Sequence, residues 1–443
     1  MSINDNNINP IDTYKFNETG IYNIKIKIKD DLTSIDSLFK NCDNLLEADF
    51  SKFNMKKITN ISSLFFGCSS LINITGFNSV DESKIVDMSF LYYGCTSLNN
   101  INLSSFKTSS VLDIQYMFGY CSSLSEINLG SFDTSNVINM EGLFDSCISL
   151  SSLNLNNFDT SKVKSMSKMF NKCISLNIID INSFKTSNVV DLSSMFNSCY
   201  KLKNINFENF DTSKVKTMNQ MFRDCTSLIS LNLNNFKTNQ IEDIYQMFSG
   251  CTNLEVINIE NFNTSKITNM YNLFYNCSSL KSINLDNFDT YNVITMSGMF
   301  SHCTSLLSVN LTNFNFSKTV YLDNMFNNCT SLNIVIFNQD LKYNNLNLIT
   351  YIDNMFKSCK NLKSIDFGKL NMSLVTNMNR LFENCSLLSS IDLSYFDASN
   401  VDYYDNIFNG IYSDEGIIKY NSSIFNIKIL NELPNTWKRI DIN

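Results

Sequence analysis

The cysteines of this chain recur at an almost constant spacing, and no other feature limits its fold as strongly. All 14 cysteines belong to one series, in which the step is 26 residues except for 27 into Cys95 and 30 into Cys359. The series runs through Cys42, Cys68, Cys95, Cys121, Cys147, Cys173, Cys199, Cys225, Cys251, Cys277, Cys303, Cys329, Cys359 and Cys385. A fixed period of this length is typical of stacked-repeat architectures, in which each unit packs only against its neighbours. We therefore predict one elongated array rather than two or three globular domains.

The first half of each unit contains the motif L-x-x-L-x-L-x-x-F. In the unit that starts at Cys225, the motif consists of Leu228, Leu231, Leu233 and Phe236. The alternation at positions 231 and 233 is typical of a short strand with one buried face. The motif fits the leucine-rich repeat, with Phe where Asn or Cys often stands. The F-D-T-S stretch that follows predicts a turn, because its polar side chains can bond the nearby backbone.

The second half of each unit predicts a short helix. Nearly every residue that stands eight positions before a cysteine, such as Asp243, is of a type that caps helices. Met218, Met221 and Phe222 precede Cys225 at the i, i+3, i+4, i+7 spacing, which places four apolar side chains on one helical face. A helix of two turns is too short to be stable in isolation, so packing against neighbouring coils must hold it.

These signals together predict a right-handed, α/β repeat solenoid of the leucine-rich-repeat type. We expect about 14 repeats of 26 residues, with a parallel sheet on one face and short helices on the other. The predicted boundaries are an N-terminal cap over residues 1–33, the solenoid over 34–411 and a C-terminal cap over 412–443.

The two caps each carry a strand signal. Residues 21–29 alternate apolar side chains with Lys, which predicts the single strand of the N-terminal cap, paired with the first coil and exposing charge at the edge. Residues 422–430 predict a closing strand, and the only tryptophan, Trp437, follows within the closing cap. Four residues are inserted between Cys329 and Cys359. Insertions of this kind serve either as binding edges or as tolerated loops.

The cysteine series allows three interpretations. A zinc site needs four converging ligands, and a disulfide needs two side chains that face each other. Equivalent cysteines of a stack instead point the same way, about 4.8 Å apart. The preferred interpretation is a ladder of buried, reduced thiols that behave as small apolar side chains. We predict no metal site and no cofactor.

No motif in the chain indicates catalysis. The only histidine, His302, has no Ser or Cys partner arrangement in its own repeat. No glycine-rich phosphate loop occurs. The chain is therefore predicted not to be an enzyme.

Charge and hydropathy limit the partners. The formal net charge is −8, which disfavours nucleic acid as a main partner. No run of about 18 apolar residues occurs, so we expect no membrane insertion. The N-terminal stretch lacks the basic and apolar segments of a signal peptide, which favours an intracellular location.

The outward side of the predicted strands is the candidate binding surface, and we name it the strand face. Its central column is made of small polar residues, and no Lys or Arg occurs in this column or in the two beside it. The part proposed to bind a partner consists of Asn128, Asn154, Asp180, Asn206, Asn232, Asn258, Asn284 and Asn310. Two interpretations stay open: an amide ladder that keeps the sheet soluble, or a concave polar surface for a protein or glycan.

The stretch from Phe210 to Phe236, FDTSKVKTMNQMFRDCTSLISLNLNNF, resembles the repeat of the BspA-like leucine-rich-repeat surface proteins. The resemblance recurs in most coils. It implies a leucine-rich-repeat solenoid, and it suggests surface display, adhesion or binding of a host protein. The resemblance thus favours the cell surface, whereas the N-terminal sequence favours the interior.

The functional prediction is a non-catalytic scaffold that binds a protein or glycan through the strand face. The alternative is a structural or self-assembling repeat protein that uses its open ends. We expect a monomer or weak end-to-end association.

Overall fold

Stacked coils of about 26 residues make up most of this protein. The computed structural model describes residues 2–3, 6–7, 20–27, 32–76, 84–103, 106–337 and 348–443. Short strands first form in the N-terminal segment and then recur at the same phase of successive coils. They are β1 (Ser2–Ile3), β2 (Asn6–Asn7), β3 (Ile24–Lys25), β4 (Glu47–Asp49), β5 (Asn73–Thr75), β6 (Asn100–Asn102), β7 (Glu126–Asn128), β8 (Ser152–Leu153), β9 (Ile178–Ile179), β10 (Ser230–Asn232), β11 (Val256–Asn258), β12 (Ser308–Leu311), β13 (Ile334–Phe337), β14 (Ser364–Asp366), β15 (Ser390–Leu393), β16 (Ile417–Tyr420) and β17 (Lys438–Asp441).

The strands of neighbouring coils pair in parallel and in register. In the β10–β11 pair, Leu231 lies beside Ile257 and Asn232 beside Asn258. Parallel pairs also join β4 to β5, β6 to β7, β8 to β9 and β12 to β13, and β14 to β17 form one four-stranded sheet. Leu231 is 2% exposed, whereas Asn232 is exposed. The predicted leucine-rich-repeat solenoid, its parallel pairing and its strand phase are therefore confirmed.

A second ladder lies half a coil away along the chain, at the positions where the sequence predicted helix starts. Parallel bridges join equivalent residues of successive coils, from Ser34–Asn60 through to Asn377–Tyr403. Beyond each bridge, alternate backbone N–H groups donate to carbonyl groups of the following coil. Gln220, for example, donates to the carbonyl of Tyr245 at 3.0 Å. We name this side of the solenoid the turn face.

The predicted helical face is wrong. Among the described residues, helix is confined to a six-residue 3₁₀-helix, Ile427–Glu432, outside the repeats. An α-helix is about 10 Å across, whereas strands in a sheet are about 4.8 Å apart, so helices cannot stack at strand spacing. The coil forms tight turns instead, such as the 3.1 Å bond from the Met221 N–H to the Met218 carbonyl. The apolar spacing nevertheless predicted burial correctly, because Met218, Met221, Phe222 and Cys225 are all fully buried.

The two ladders also bear on the expected shape of the strand face. Solenoids bend when one side of each coil is thicker than the other, as helices are thicker than strands. Here both sides of the coil are held by inter-coil hydrogen bonds. The difference in thickness between helices and strands is therefore not available as a cause of bending, and the concavity of the strand face stays a prediction.

Buried threonines connect the coils at the predicted F-D-T-S turn. Thr212 is fully buried, and its hydroxyl donates to the Lys237 carbonyl at 3.0 Å. The same oxygen accepts the Lys237 N–H at 2.7 Å. Within the turn, the Asp211 carboxylate accepts the Ser213 N–H at 3.1 Å. The predicted turn and its side-chain-to-backbone bonds are confirmed.

The cysteines form the predicted ladder. Cys68 to Cys385 are buried free thiols, whereas Cys42, in the first coil, is exposed. The Sγ of Cys225 donates to the Phe196 carbonyl at 3.1 Å, and equivalent bonds recur along the stack. Burial raises the pKa of Cys251 to about 12, so this thiol stays protonated at neutral pH.

Thiol labelling of the native protein is expected to modify Cys42 and to spare the other 13 cysteines, which are buried. The reason is that a buried, protonated thiol is both inaccessible and a poor nucleophile. Titration with an aromatic disulfide reagent, followed by mass spectrometry, measures this, and denaturation should then release all 14 thiols. A Cys42→Ser variant should lose the rapid phase. Rapid labelling of several cysteines in the native protein would contradict the buried ladder.

The N-terminal segment differs from its prediction. Three two-residue strands, β1 to β3, form an antiparallel sheet in the order β2–β1–β3, where the sequence predicted one strand. Ile24–Lys25 pairs with Ser2–Ile3 rather than with the first coil. An antiparallel partner can be reached through a short local connection, which a partner in the stack does not offer. Residues 28 and 29 of the predicted strand lie outside the described residues, as does the inserted segment 338–347.

The C-terminal segment that closes the stack differs from its prediction. The region proposed as a closing strand contains the 3₁₀-helix, while β16 and β17 continue the parallel sheet before and after it. Asn426 caps this helix by accepting the Lys428 N–H. Ile429 and Leu430 of this helix are buried, and so is Trp437, whose Nε1 donates to the Ser413 carbonyl at 3.2 Å. Arg439 of β17 pairs with the buried Ile418 of β16. A charged side chain therefore lies where a further coil would need an apolar one.

Candidate functional site

The strand face presents the predicted residues in one column. Seven of them are exposed, and Asn258 is half-buried. Strand pairing places Asn232 next to Asn258, and Asn102 next to Asn128, at strand spacing. The exposed members are Asn128, Asn154, Asp180, Asn206, Asn232, Asn284 and Asn310.

Most side-chain oxygens in this central column bond to the chain's own backbone. The Oδ1 of Asn206 accepts the Glu208 N–H at 2.9 Å, and that of Asn284 accepts the Asp286 N–H at 3.0 Å. The same contact, two residues ahead, occurs at 128, 154, 180, 232 and 310. These residues therefore form Asx turns. In the coils of Asn206 and Asn284 the turn forms without an assigned strand. The Nδ2 groups of the asparagines are the parts that can donate hydrogen bonds outward.

Acidic groups make the strand face electronegative. Glu208 and Asp286 are exposed beside the central column. The Oε2 atom of Glu260 is buried and has no hydrogen-bond partner among the described residues. β16 extends the column by one coil beyond Asp392, to Lys419, whose Nζ lies 3.2 Å from the Asp392 carboxylate. At the C-terminal end the column therefore carries an ion pair.

The column on the N-terminal side of the strands contains exposed aliphatic side chains that the sequence analysis did not single out. Ile178 is 70% exposed and Val256 is 54% exposed. Ile334 is exposed in the same column, and Ile336, which pairs with Asn310 in the central column, is exposed as well. Their signal in the sequence was an aliphatic residue where most coils have Ser or Asn. Isolated exposed aliphatic groups beside polar ones are suitable contacts for a protein partner.

Lysines predicted to cluster in the turns are held along the edge of the stack. The Nζ of Lys214 donates to the Asn188 side chain at 2.7 Å, and that of Lys266 donates to Gln240 at 2.7 Å. Each bond connects a lysine to the amide one coil earlier. These positive charges therefore lie in the turns rather than on the strand face.

A second surface feature, on the turn face, escaped the sequence analysis. Five partly exposed aromatic side chains cluster there, and we name them the aromatic cluster: Phe66, Phe90, Tyr93, Tyr116 and Tyr120. The equivalent positions of later coils hold mostly Ser, Asn, Gln, Asp or Lys. Comparison of aligned coils would have revealed it.

The candidates for metal or catalytic chemistry are sparse. Within the described ranges, no three His, Cys, Asp or Glu side chains are arranged to hold a metal ion. His302 Nδ1 lies 3.0 Å from the Asn328 amide nitrogen, and its ring packs edge-on against Tyr275. No helix in the described part of the chain is long and apolar enough to cross a membrane.

Comparison with protein families gives one match. The sequence model of the family described as "Mycoplasma protein of unknown function, DUF285" matches residues 33–152, 123–230, 243–341 and 335–426. The matched segments together span most of the chain. No curated protein matches it.

Several solved structures are similar in fold. A leucine-rich cell surface protein from Faecalibacterium prausnitzii A2-165 is 16% identical over 90% of this chain and 85% of that one, with a TM-score of 0.36. A leucine-rich-repeat protein from Eubacterium ventriosum is 15% identical over 87% and 82%, with a TM-score of 0.24. The functional domain of InlJ from Listeria monocytogenes, which includes a cysteine ladder, is 11% identical over 84% and 71%, with a TM-score of 0.19. This chain is thus similar to proteins described as leucine-rich cell surface or leucine-rich-repeat proteins, at 16% identity or less.

Proposed function

This chain belongs to the DUF285 family, and from its repeat architecture we propose that it is a non-catalytic scaffold that binds a protein or glycan through the strand face. The observation that carries the proposal is the length and uniformity of that face. Repeated side chains offer a contiguous area only where equivalent positions of many coils are exposed together. Fourteen coils at strand spacing extend roughly 65 Å, which is ample for an interface of standard size.

The chemistry of the face indicates the kind of partner. Asn206 and its neighbours use their side-chain oxygens internally, so the face presents rows of amide donors. Glu208 and Asp286, which are exposed, supply acceptors. Together with the absence of Lys and Arg from the three columns between Glu47 and Asp392, this favours a neutral or basic partner. Surface display and adhesion are proposed by resemblance alone.

The alternative, self-assembly through open ends, has less support. Arg439 occupies a core-facing position of the last strand, and its Nη2 donates to the Leu430 carbonyl at 2.9 Å. A further coil docking on β17 would have to bury this guanidinium without an acidic partner, which costs free energy. Sedimentation velocity over a range of concentrations distinguishes the two functions, because end-to-end growth would give a continuing series of larger species.

Substituting Lys at Asn206, Asn232, Asn258 and Asn284 is expected to abolish partner binding without unfolding the array. Four added positive charges would repel a basic partner and remove the amide donors. The measurement is a quantitative pull-down from a native lysate, together with a glycan array, using the wild type and the variant.

A matched control places four lysines on the turn face, at Gln220, Gln246, Asn272 and Asn324, which are half-buried. Ser249, on the same face, is buried and therefore unsuitable for this control. The control variant is expected to bind every partner that the wild type binds in the pull-down and on the glycan array. Loss of binding in the control, with binding kept in the strand-face variant, would place recognition on the turn face.

A further inference from the structure

The aromatic cluster is organised as two short stacks of rings. The Phe66 ring stacks on Tyr93 with centroids 4.7 Å apart, and the Phe90 ring stacks on Tyr116 at 5.3 Å. Tyr120 packs against Tyr93 at 5.1 Å. The rings therefore form one continuous surface across three coils, with exposed edges rather than exposed faces.

Two glycines make room for these rings. A Cβ atom at Gly142 would lie 2.3 Å from the Tyr116 ring, and one at Gly119 would lie 2.9 Å from the Tyr93 ring. Real side chains do not approach so closely. Each tyrosine ring therefore lies over the backbone of the next coil, and only the absence of a side chain there permits it.

Three residues of the cluster have a backbone conformation that is strained for aromatic side chains. Phe90, Tyr116 and Tyr120 have φ values of 55°, 50° and 59°, in the left-handed region. Bulky aromatic residues rarely adopt this conformation, whereas Ser and Asn tolerate it better. Ser194 and Ser198 hold positions equivalent to Tyr116 and Tyr120 in a later coil. Strained residues of this kind are concentrated at functional sites.

Carboxylates surround the rings. The segments 87–94, 113–120 and 139–146, which carry most of the cluster, contain no Lys or Arg. Their acidic residues are Asp87, Asp113, Glu141 and Asp145. The Tyr116 hydroxyl donates to Glu141 Oε1 at 3.1 Å. Asp145 is 4% exposed, accepts hydrogen bonds from Ser146 and Asn171 and lies near Lys168 and Lys172, so it adds little to the charge of the surface.

The chain itself already places one cation against the cluster. The Lys40 ammonium lies 4.9 Å from the centroid of the Phe66 ring. Ammonium and guanidinium groups are attracted to aromatic rings, and nearby carboxylates strengthen the attraction. The cluster thus has the chemistry of a cation acceptor at its N-terminal end, and it continues over two further coils.

We propose that the aromatic cluster docks a basic polypeptide segment of a partner protein, with arginine or lysine side chains lying beside the tyrosine hydroxyls and the flanking carboxylates. A purely apolar partner would bury these carboxylates without counter-charges. A neutral sugar would need open ring faces, which the stacking and the glycine backbones occupy. The site is distinct from the strand face and does not depend on it.

The test uses the full chain and a fluorescent peptide of four Arg-Gly-Ser repeats, measured by fluorescence anisotropy at low and high salt. The wild type should bind this peptide and not the equivalent Glu-Gly-Ser peptide. The triple variant Phe90→Ser, Tyr116→Ser, Tyr120→Ser should raise the dissociation constant about tenfold or more. It should fold normally, because serine occupies equivalent positions elsewhere in the stack. Circular dichroism and thermal unfolding check the fold.

Two further variants make the test specific. Asp113→Asn with Glu141→Gln should weaken binding and reduce its salt dependence, because the rings remain while the charges are removed. The control Asn272→Ser, Asn276→Ser, Asn324→Ser changes equivalent positions of later coils and should bind as the wild type does. The proposal is overturned if the wild type fails to bind the arginine peptide, if the aromatic variant binds equally well, or if a neutral oligosaccharide binds at the cluster instead. Strand-face lysine substitutions should leave this binding unchanged, so either proposal can fail alone.

Discussion

Leu231→Asp is expected to lower the free energy of unfolding by several kcal/mol, on the order of 4. Leu231 is buried in β10, directly beside Ile257 of the next coil, and is 2% exposed. An aspartate there would place an unpaired carboxylate between apolar side chains of two coils. It would also remove the contacts of the leucine. The measurement is urea unfolding followed by circular dichroism.

The control for this prediction is Asn232→Asp, one residue further along the same strand. Asn232 is exposed, and its Oδ1 accepts the Asn234 N–H at 3.2 Å, a bond that an aspartate oxygen can also accept. The change should therefore shift stability by less than about 1 kcal/mol. Equal losses in the two variants would contradict the assignment of faces in β10, because a slip of one residue exchanges buried and exposed side chains.

Thr212→Val is expected to destabilise the array by about 2–4 kcal/mol, although valine has nearly the same shape. The buried hydroxyl donates to the Lys237 carbonyl at 3.0 Å and accepts the Lys237 N–H at 2.7 Å. Valine would leave a backbone donor and a backbone acceptor unsatisfied between two coils. Each unsatisfied buried group costs about 1–3 kcal/mol. Differential scanning calorimetry or urea unfolding measures the loss.

Thr226→Val is the matched control, because Thr226 makes a chemically similar bond in a solvent-accessible place. Its hydroxyl donates to the Tyr200 carbonyl of the preceding coil at 3.2 Å. Water can replace this bond when the hydroxyl is removed, so the loss should stay below about 1 kcal/mol. If both valine variants unfold at the same urea concentration, the buried threonine ladder does not stabilise the stack as described.

The sequence was sufficient to predict the stack, the strand phase and the buried side chains, which follow from periodicity. The period of the cysteines predicted the stack, and the alternation around Leu231 predicted which strand residues are buried. The spacing of Met218, Met221 and Phe222 predicted their burial as well. Burial patterns repeat in all coils, so local exceptions do not obscure them.

The candidate sites were less predictable. The exposed polar column around Asn206 was visible in the sequence, but the use of its Oδ1 atoms in Asx turns was not. The aromatic cluster depends on contacts between residues about 26 positions apart, such as Phe90 with Tyr116. The sequence of a single coil does not show that these residues are in contact.

Only the tertiary structure determined the secondary structure of the turn face. The local pattern around Met221 is compatible with a helix, and a helix would satisfy the backbone within the coil. In the stack, the N–H of Phe222 donates to the carbonyl of Met247 at 2.9 Å instead. Neighbouring coils lie at strand spacing because their strands are paired, and a helix is too wide for that spacing. The sequence by itself therefore determined the repeat, the strand phase and the buried side chains, whereas the backbone conformation of the turn face was set by the distance between coils.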